Sequence, residues 1–428
     1  MATMATLAPA QGLHAPSLLE RYQPLIGARA TERLLKKARR LAGLKVLHVN
    51  STRQGGGVAE ILSSIIPLMN SIGLDAQWLV IDGSPEFFAL TKDIHNGLQG
   101  DPIQVAAEGM RLHRHTAHAN AAEASLDGYD IVLVHDPQPL PLVELRQRQR
   151  WIWCCHIDLS APDPGVWNYL AESVARYDAA IFSLPEYAQP LDVPQRFIMP
   201  AIDPFSLINQ EISRAETARH LARYDIPRDL PLVVQAGRFD KWKDPQGVIE
   251  AFAMAAQQRP ARLVLVGNTA ADDPEGPAMY ESIRALSSDH VLIIAADDPL
   301  LVNALQRRAV VVLQKSLREG FGLTVSEAMW KRRAVLGGDV GGIRHQIIDG
   351  RCGYLVANVQ QTAERIALLL EDQRLRRSLG RRAMERVRRQ FLLTRLLEEW
   401  LDLFAELTTR RRLPQELATP AGVSPAEQ

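Results

Sequence analysis

The sequence predicts an α/β protein made of two doubly wound halves, each a parallel sheet covered by helices. Three observations carry this. Short apolar runs alternate with helix-length segments along the chain. The runs are continuous rather than every-other-residue, as strands buried on both faces require. The pattern also starts afresh after the Pro-rich patch Met199-Pro200-Ala201-Ile202-Asp203-Pro204.

Residues 1–20 have no apolar periodicity and read as a disordered leader, without the basic start and apolar core of a signal peptide. A basic helix is expected over 31–42. Strands follow at 45–49, 78–81, 131–134, 151–154, 180–182 and 197–199, with helices at 58–69, 102–115 and 166–176 between them. In the second half, strands are expected at 232–235, 262–266, 291–294, 310–313, 334–336 and 354–356, with helices at 246–257 and 277–286. A long helical stretch, 362–407, carries many arginines, whose simplest reading is a solvated face. Residues 410–428 read as a disordered tail. The organisation is therefore a leader (1–20), a first half (21–204), a second half (205–385), a C-terminal helix returning onto the first half (386–409) and a tail.

With 428 residues, 49 basic and 49 acidic, the chain has room for two cores and no net charge. That balance argues against a dedicated nucleic-acid binder. Cys154, Cys155 and Cys352 are odd in number and two are adjacent, so no disulfide framework is expected. No metal-type Cys/His spacing surrounds them, and no metal is expected. No apolar run approaches the roughly 18 residues a membrane span needs. A cytoplasmic protein is expected, with a homodimer as the default assembly.

Ligands of such folds bind beyond the carboxyl ends of strands, and with two halves the cleft between them is the expected site. Five segments sit at such ends. Gly55-Gly56-Gly57 opens a helix after a strand. It fits an anion cradle or a plain tight turn. Gly237-Arg238-Phe239-Asp240-Lys241-Trp242-Lys243-Asp244 offers a guanidinium and an ammonium around one turn, suited to a diphosphate or simply an exposed charged loop. His135-Asp136 and His156-Ile157-Asp158 each place a His and an Asp at a strand end. One such pair is ordinarily structural; two in one half point to function. The fifth segment is Arg318-Glu319-Gly320-Phe321-Gly322-Leu323-Thr324-Val325-Ser326-Glu327, followed by Gly337-Gly338-Asp339-Val340-Gly341-Gly342-Ile343-Arg344. Here two carboxylates, which grip sugar hydroxyls, flank a turn leading to a helix N-terminus, which grips phosphate. The dinucleotide fingerprint Gly-x-Gly-x-x-Gly, a Gly-x-Ser-x-Gly elbow and an Asp-x-Asp metal signature are absent. This lowers the reading as a nicotinamide dehydrogenase.

Together these segments resemble a family: the retaining nucleotide-sugar glycosyltransferases of GT-B fold, with two Rossmann-like domains facing a central cleft. Glu319 to Glu327 is similar to that family's Glu-x7-Glu motif, the 237–244 loop to its Arg…Lys phosphate loop, and Asp339 to Arg344 to its Gly-Gly stretch. Within the family, the trehalose synthases of the glycosyltransferring type are the nearest match. The carriers are Gly55-Gly56-Gly57-Val58-Ala59-Glu60, Thr91-Lys92-Asp93-Ile94-His95-Asn96, Val134-His135-Asp136-Pro137-Gln138-Pro139-Leu140 and Cys155-His156-Ile157-Asp158-Leu159-Ser160. Two departures stand out: Cys154, where a basic residue is common, and Arg333, where Pro is usual before a strand.

The resemblance implies an acceptor domain (21–204) and a nucleotide-sugar donor domain (205–385). It implies transfer of glucose from a nucleoside-diphosphate-glucose to glucose, giving α,α-trehalose, without a metal or other cofactor. Arg238 and Lys243 would hold the diphosphate. Glu319 would bind donor-sugar hydroxyls with the amides of Gly320, Phe321, Gly322, Leu323 and Thr324, and Glu327 would bind the ribose. Gly56 and Gly57 would close on the distal phosphate, and His156 would contact the sugar. Asp136 and Asp158 would bind the acceptor. The nucleotide base would lie near 267–270 and 295–299. A trehalose phosphorylase using the same cleft is the close alternative, and a non-catalytic sugar-nucleotide sensor the alternative of another class.

Overall fold

The computed structural model describes residues 3–5, 18–123, 126–268 and 274–409. The first sheet contains β1 (Thr3–Ala5), β2 (Lys45–Asn50), β3 (Asp75–Val80), β4 (Ile131–His135), β5 (Arg150–Cys155), β6 (Ala179–Phe182) and β7 (Gln195–Phe197). Their order is β1-β3-β2-β4-β5-β6-β7. The second sheet contains β8 (Leu232–Ala236), β9 (Arg262–Gly267), β10 (Val291–Ala295), β11 (Val311–Gln314), β12 (Ala334–Gly338) and β13 (Tyr354–Val356), ordered β10-β9-β8-β11-β12-β13. Every pairing is parallel except β1 with β3.

The strand order determines where a ligand can sit. In the first sheet the chain starts at β2 and winds to β3 on one side, then to β4 on the other. In the second it starts at β8, winds to β9, then returns to β11. Each reversal opens a crevice between diverging loops at the carboxyl ends of two adjacent parallel strands. The first crevice is bounded by the loops after Asn50 and His135, the second by those after Ala236 and Gln314. Four of the five sequence segments lead directly from these strands; the fifth, around His156, follows β5 beside them.

Four elements differ most clearly from the sequence expectation. The helix expected at 102–115 runs instead over Ala107–Glu123. The leader is not featureless: Thr3–Ala5 pairs antiparallel with β3, and Leu18–Tyr22 forms a 3-10 turn that buries Leu19 completely. The rest of the leader, like the 410–428 tail, lies outside the described residues. β7 is Gln195–Phe197 rather than 197–199, because an edge strand is half-exposed and lacks the apolar run that marks a central one. The 362–407 stretch is three helices, Val359–Glu371, Gln373–Gln390 and Leu393–Thr409. Asp372 ends the first and caps the second through Leu375 N at 2.8 Å. At 391–392 the backbone leaves the helix to pair with Ile202, whose N–H donates to the Phe391 carbonyl at 2.9 Å. The last helix then packs Leu396, Leu397, Trp400 and Phe404 into the core of the first half with Val46 and Ile65. Among the arginines, Arg386 is drawn inward to donate to the carbonyls of His345 and Gln346, while Arg374, Arg377, Arg381 and Arg382 face solvent. Among the described residues, no helix is long and apolar enough to cross a membrane.

Candidate active site

The two crevices face each other across a cavity of about 710 Å³. From the first half it is lined by Gly55–Gly57 at the start of the helix Gly57–Ser71, and by Asp136 and His156. From the second half come Arg238, Lys243, Glu319, the stretch 320–324 and Glu327. The halves touch closely here. A side-chain carbon added to Gly57 would stand 3.0 Å from the Leu323 side chain, and one added to Gly320 would stand 1.8 Å from the His156 carbonyl oxygen.

The 319–322 loop is held from behind, so its amides are left for the cavity. Tyr187 donates its hydroxyl toward the carbonyls of Glu319 and Gly320 (3.0 and 3.2 Å), and Gly342 N–H donates to Glu319 O at 3.2 Å. Gln346 Nε2 donates to Phe321 O at 2.6 Å. Gly342 must lack a side chain, since a carbon there would meet Phe321 Cα at 2.4 Å. Gly322 takes φ 83°, a left-handed turn that starts the helix Leu323–Trp330 with its N-terminus toward the cavity. The Phe321 ring meets Phe391 edge-on, with centroids 5.7 Å apart.

Glu319 is nearly buried, and three donors reach one of its oxygens. Oε2 accepts from Lys243 Nζ at 2.5 Å, Ser316 Oγ at 2.9 Å and Gln314 Nε2 at 3.1 Å. Glu327 is buried too and accepts from Gln306 Nε2 at 3.1 Å. Burial raises its pKa, opposed by the Lys331 ammonium, whose own pKa burial lowers to about 7. Across the cavity stands Glu60, whose carboxyl is pushed well up by burial and by Glu327.

Asp136 sits at φ 62°, uncommon for a residue with a side chain. Trp153 Nε1 donates to its carbonyl at 3.0 Å, and its Oδ1 accepts from His156 N at 2.8 Å. Behind His156 runs a file of imidazoles: His156 Nε2 is 3.0 Å from His135 Nδ1, and His135 Nε2 is 3.1 Å from His48 Nδ1. Burial lowers the pKa of all three, most modestly for His156, where Asp136 pulls the other way. Cys154 Sγ lies 3.4 Å from His156 Nε2.

Asp158 is the exception among the expected residues. It is buried, with Oδ1 accepting from Ser160 N at 3.0 Å, and it lines a separate cavity of about 220 Å³ with Tyr187, Arg318 and Arg344. Ile157, next to it in the chain, still lines the main cavity. The expected base region does reach the main cavity at Gly267, Asn268 and 296–299; residues 269–270 lie outside the described residues.

Sequence reasoning gave no role to a second set of residues that ties the halves together. Lys92 Nζ reaches Asp240 Oδ2 at 2.9 Å with both side chains buried. Asn96 bridges Trp242 Nε1 (3.1 Å) and Glu275 (2.9 Å), and Lys241 pairs with Asp101 at 2.5 Å. His95, whose pKa burial lowers to about 3, joins the cavity lining. All the first-half partners lie on or just after the helix Pro85–Leu98, where the Thr91-Lys92-Asp93-Ile94-His95-Asn96 block was the available signal.

Two Rossmann-like domains with their switch points facing one cleft define a GT-B glycosyltransferase. A family model described as "Trehalose synthase, N-terminal domain" matches residues 48–189, and one described as "Glycosyl transferases group 1" matches 217–386. The trehalose synthase of Pyrococcus horikoshii is 43% identical over 399 residues, covering 91% of this chain and 96% of that protein. That of Rubrobacter xylanophilus is 41% identical over 402 residues, covering 90% and 96%. The chain belongs to the trehalose synthase family of glycosyltransferases. A trehalose phosphorylase of Pleurotus pulmonarius is more distant, 28% identical over 408 residues, with 80% of this chain matching 54% of that protein. Among solved structures, an α,α-trehalose-phosphate synthase from Burkholderia xenovorans shares the fold with a TM-score of 0.66 at 14% identity, covering 85% of this chain and 100% of that one.

Proposed function

We propose that the protein transfers glucose, with retention, from a nucleoside-diphosphate-glucose to glucose, forming α,α-trehalose without a metal. The observation that carries this is the convergence of Arg238, Lys243, Glu319 and Glu327 on one side of the cleft with Gly56, Gly57, His156 and Asp136 on the other. Membership of the trehalose synthase family supports trehalose as the product.

The diphosphate lies between Arg238, Lys243 and the helix N-termini at Gly57 and Leu323, so positive charge meets it from both halves. As the bond from the anomeric carbon to the phosphate oxygen breaks, these groups stabilise the charge left on the nucleoside diphosphate, the kind of contribution that dominates many catalysed transfers. The acceptor hydroxyl attacks the same face and passes its proton to the departing phosphate oxygen. The enzyme's work is then positioning. Glu319 Oε1, free of the three donors that hold Oε2, accepts from donor-sugar hydroxyls. Glu327 accepts from the ribose, His156 contacts the sugar, and Asp136 orients the acceptor. Asp158, outside the cleft, is not assigned an acceptor contact. Closure of the two halves excludes water that would hydrolyse the donor.

Trehalose phosphorylase is the second reading, supported by the 28% identity to that enzyme. The protein is incubated with trehalose and either inorganic phosphate or a nucleoside diphosphate. Glucose release that requires the nucleoside diphosphate supports the synthase; release with phosphate alone refutes it. A protein that binds nucleotide sugar but turns over in neither arm is a sensor.

A further inference from the structure

His135, Cys154 and His156 stand where the sequence spacing gave no hint of a metal site. Nδ1 of His135, Sγ of Cys154 and Nε2 of His156 all lie within 4.8 Å of one another. We propose that these three side chains form a binding site for Zn²⁺ at the floor of the cleft.

The topology builds the cluster. β4 and β5 are paired in parallel, with His135 opposite Cys154. Those two side chains share one face of the sheet at its carboxyl edge. His156 follows two residues after Cys154 and returns to that same face. Two distances already approach what a tetrahedral ion needs. With Zn–N of about 2.05 Å and Zn–S of about 2.3 Å, ligand nitrogens sit about 3.3 Å apart and nitrogen and sulfur about 3.6 Å. The file has His135 Nδ1 and His156 Nε2 at 3.0 Å, and Cys154 Sγ and His156 Nε2 at 3.4 Å. Relative to His156 Nε2, the other two ligand atoms need to move by only a few tenths of an ångström, and His135 Nδ1 and Cys154 Sγ lie within 4.8 Å of each other.

The surroundings fit a three-ligand site with one open position. His135 and Cys154 are buried, while His156 is half-exposed and lines the cleft, so the fourth ligand is water. The outer contact is also in place. Binding through Nδ1 puts the His135 proton on Nε2, which donates to His48 Nδ1 at 3.1 Å, and His48 is held by stacking on Trp400 at 5.2 Å. The soft thiolate and two imidazoles select Zn²⁺ over Mg²⁺ or Ca²⁺. Occupancy ties the ends of β4 and β5 together and takes Nε2 of His156, leaving Nδ1 as the ring nitrogen for the sugar; the ion holds the strand ends, and the proposed transfer itself uses no metal.

Co²⁺, as a spectroscopic substitute for Zn²⁺, tests this on the chelator-treated full-length protein, independently of any glycosyl transfer. One Co²⁺ per chain is expected, with visible bands of a tetrahedral site and a thiolate-to-cobalt charge-transfer band, all bleached by Zn²⁺. Cys154→Ser abolishes the charge-transfer band and weakens binding at least about tenfold, whereas Cys155→Ser keeps both. A wild-type protein that takes up Co²⁺ without the thiolate band, or takes up none, overturns the proposal whatever the variants do. The band persisting in folded Cys154→Ser overturns it as well.

Discussion

Replacing Gly320 with alanine inserts one carbon at the tightest approach between the two halves. That carbon would lie 1.8 Å from the His156 carbonyl oxygen and 2.9 Å from its carbonyl carbon, where real contacts essentially never fall below 3.0 Å. Both neighbours are backbone atoms fixed at the end of β5, so no side-chain rotation relieves the clash. The 319–322 loop and His156 must separate by at least the difference, ~1.2 Å. Gly320 does not need a left-handed φ, so alanine strains nothing within its own domain. The perturbation therefore acts on the closed geometry rather than on folding. A displacement of about 1 Å at reacting groups costs on the order of 100-fold in rate, equivalent to about 2.7 kcal/mol of transition-state stabilisation. The assay is steady-state transfer from nucleoside-diphosphate-glucose to glucose, with thermal unfolding alongside. The expected result is kcat/KM lower by roughly 100-fold with Tm nearly unchanged. Unchanged kcat/KM in the variant would show that the chemistry does not require the approach of Gly320 to His156.

Glu319→Gln removes the anion that pairs with Lys243 and the acceptor proposed for the sugar; kcat/KM is expected to fall by about 100-fold or more in the same assay, with stability little changed. Lys92→Met leaves Asp240 buried without its ion-pair partner across the cleft, and thermal or urea unfolding should register a loss of about 3 kcal/mol. Burial alone would raise the Asp240 pKa, but Lys92 holds it well below the usual carboxylate range; in Lys92→Met it rises. His113 is held neutral, its pKa lowered to about 4 by burial, with Nε2 on the carbonyls of Pro137 and Gln138 and Nδ1 against the Tyr169 hydroxyl at 2.8 Å. The unfolded chain, with its histidine near 6.5, binds the proton first, so this contribution is intact above about pH 6.5 and is lost as pH falls toward 4. Between pH 7 and pH 4.5, wild type should lose roughly 2 to 3 kcal/mol more in urea unfolding than His113→Gln, which has no titrating ring.

What could be read from the chain follows from how local each signal is. Central parallel strands are continuous apolar runs, so all but the edge strand β7 and the short β1 are visible. Glu319, Glu327, Arg238 and Lys243 were legible because each stands at a strand end or helix start where turn residues mark the geometry. The Lys92–Asp240 pair was not, since it joins residues 148 apart, and nothing within the 237–244 turn or the 91–96 block says that the two meet. The breaks at Asp372 and at 391–392 were hidden for a related reason: helix-forming residues continue across them, and the second break is set by pairing with Ile202 in another part of the chain. Asp158 misled because strand-end position predicts proximity to a cleft but not the direction of the next two residues. The His135, Cys154 and His156 cluster depends on the registration of β4 with β5, which no spacing within either segment encodes.

The central claim is that one cleft moves a glucosyl unit from a nucleoside diphosphate to free glucose with its configuration kept. The direct measurement is ¹³C NMR of the product formed from nucleoside-diphosphate-glucose labelled at the anomeric carbon and unlabelled glucose. A labelled α-configured carbon in α,α-trehalose is expected, with no need for added phosphate. Label found only in free glucose, or in a β-linked product, would contradict the central claim.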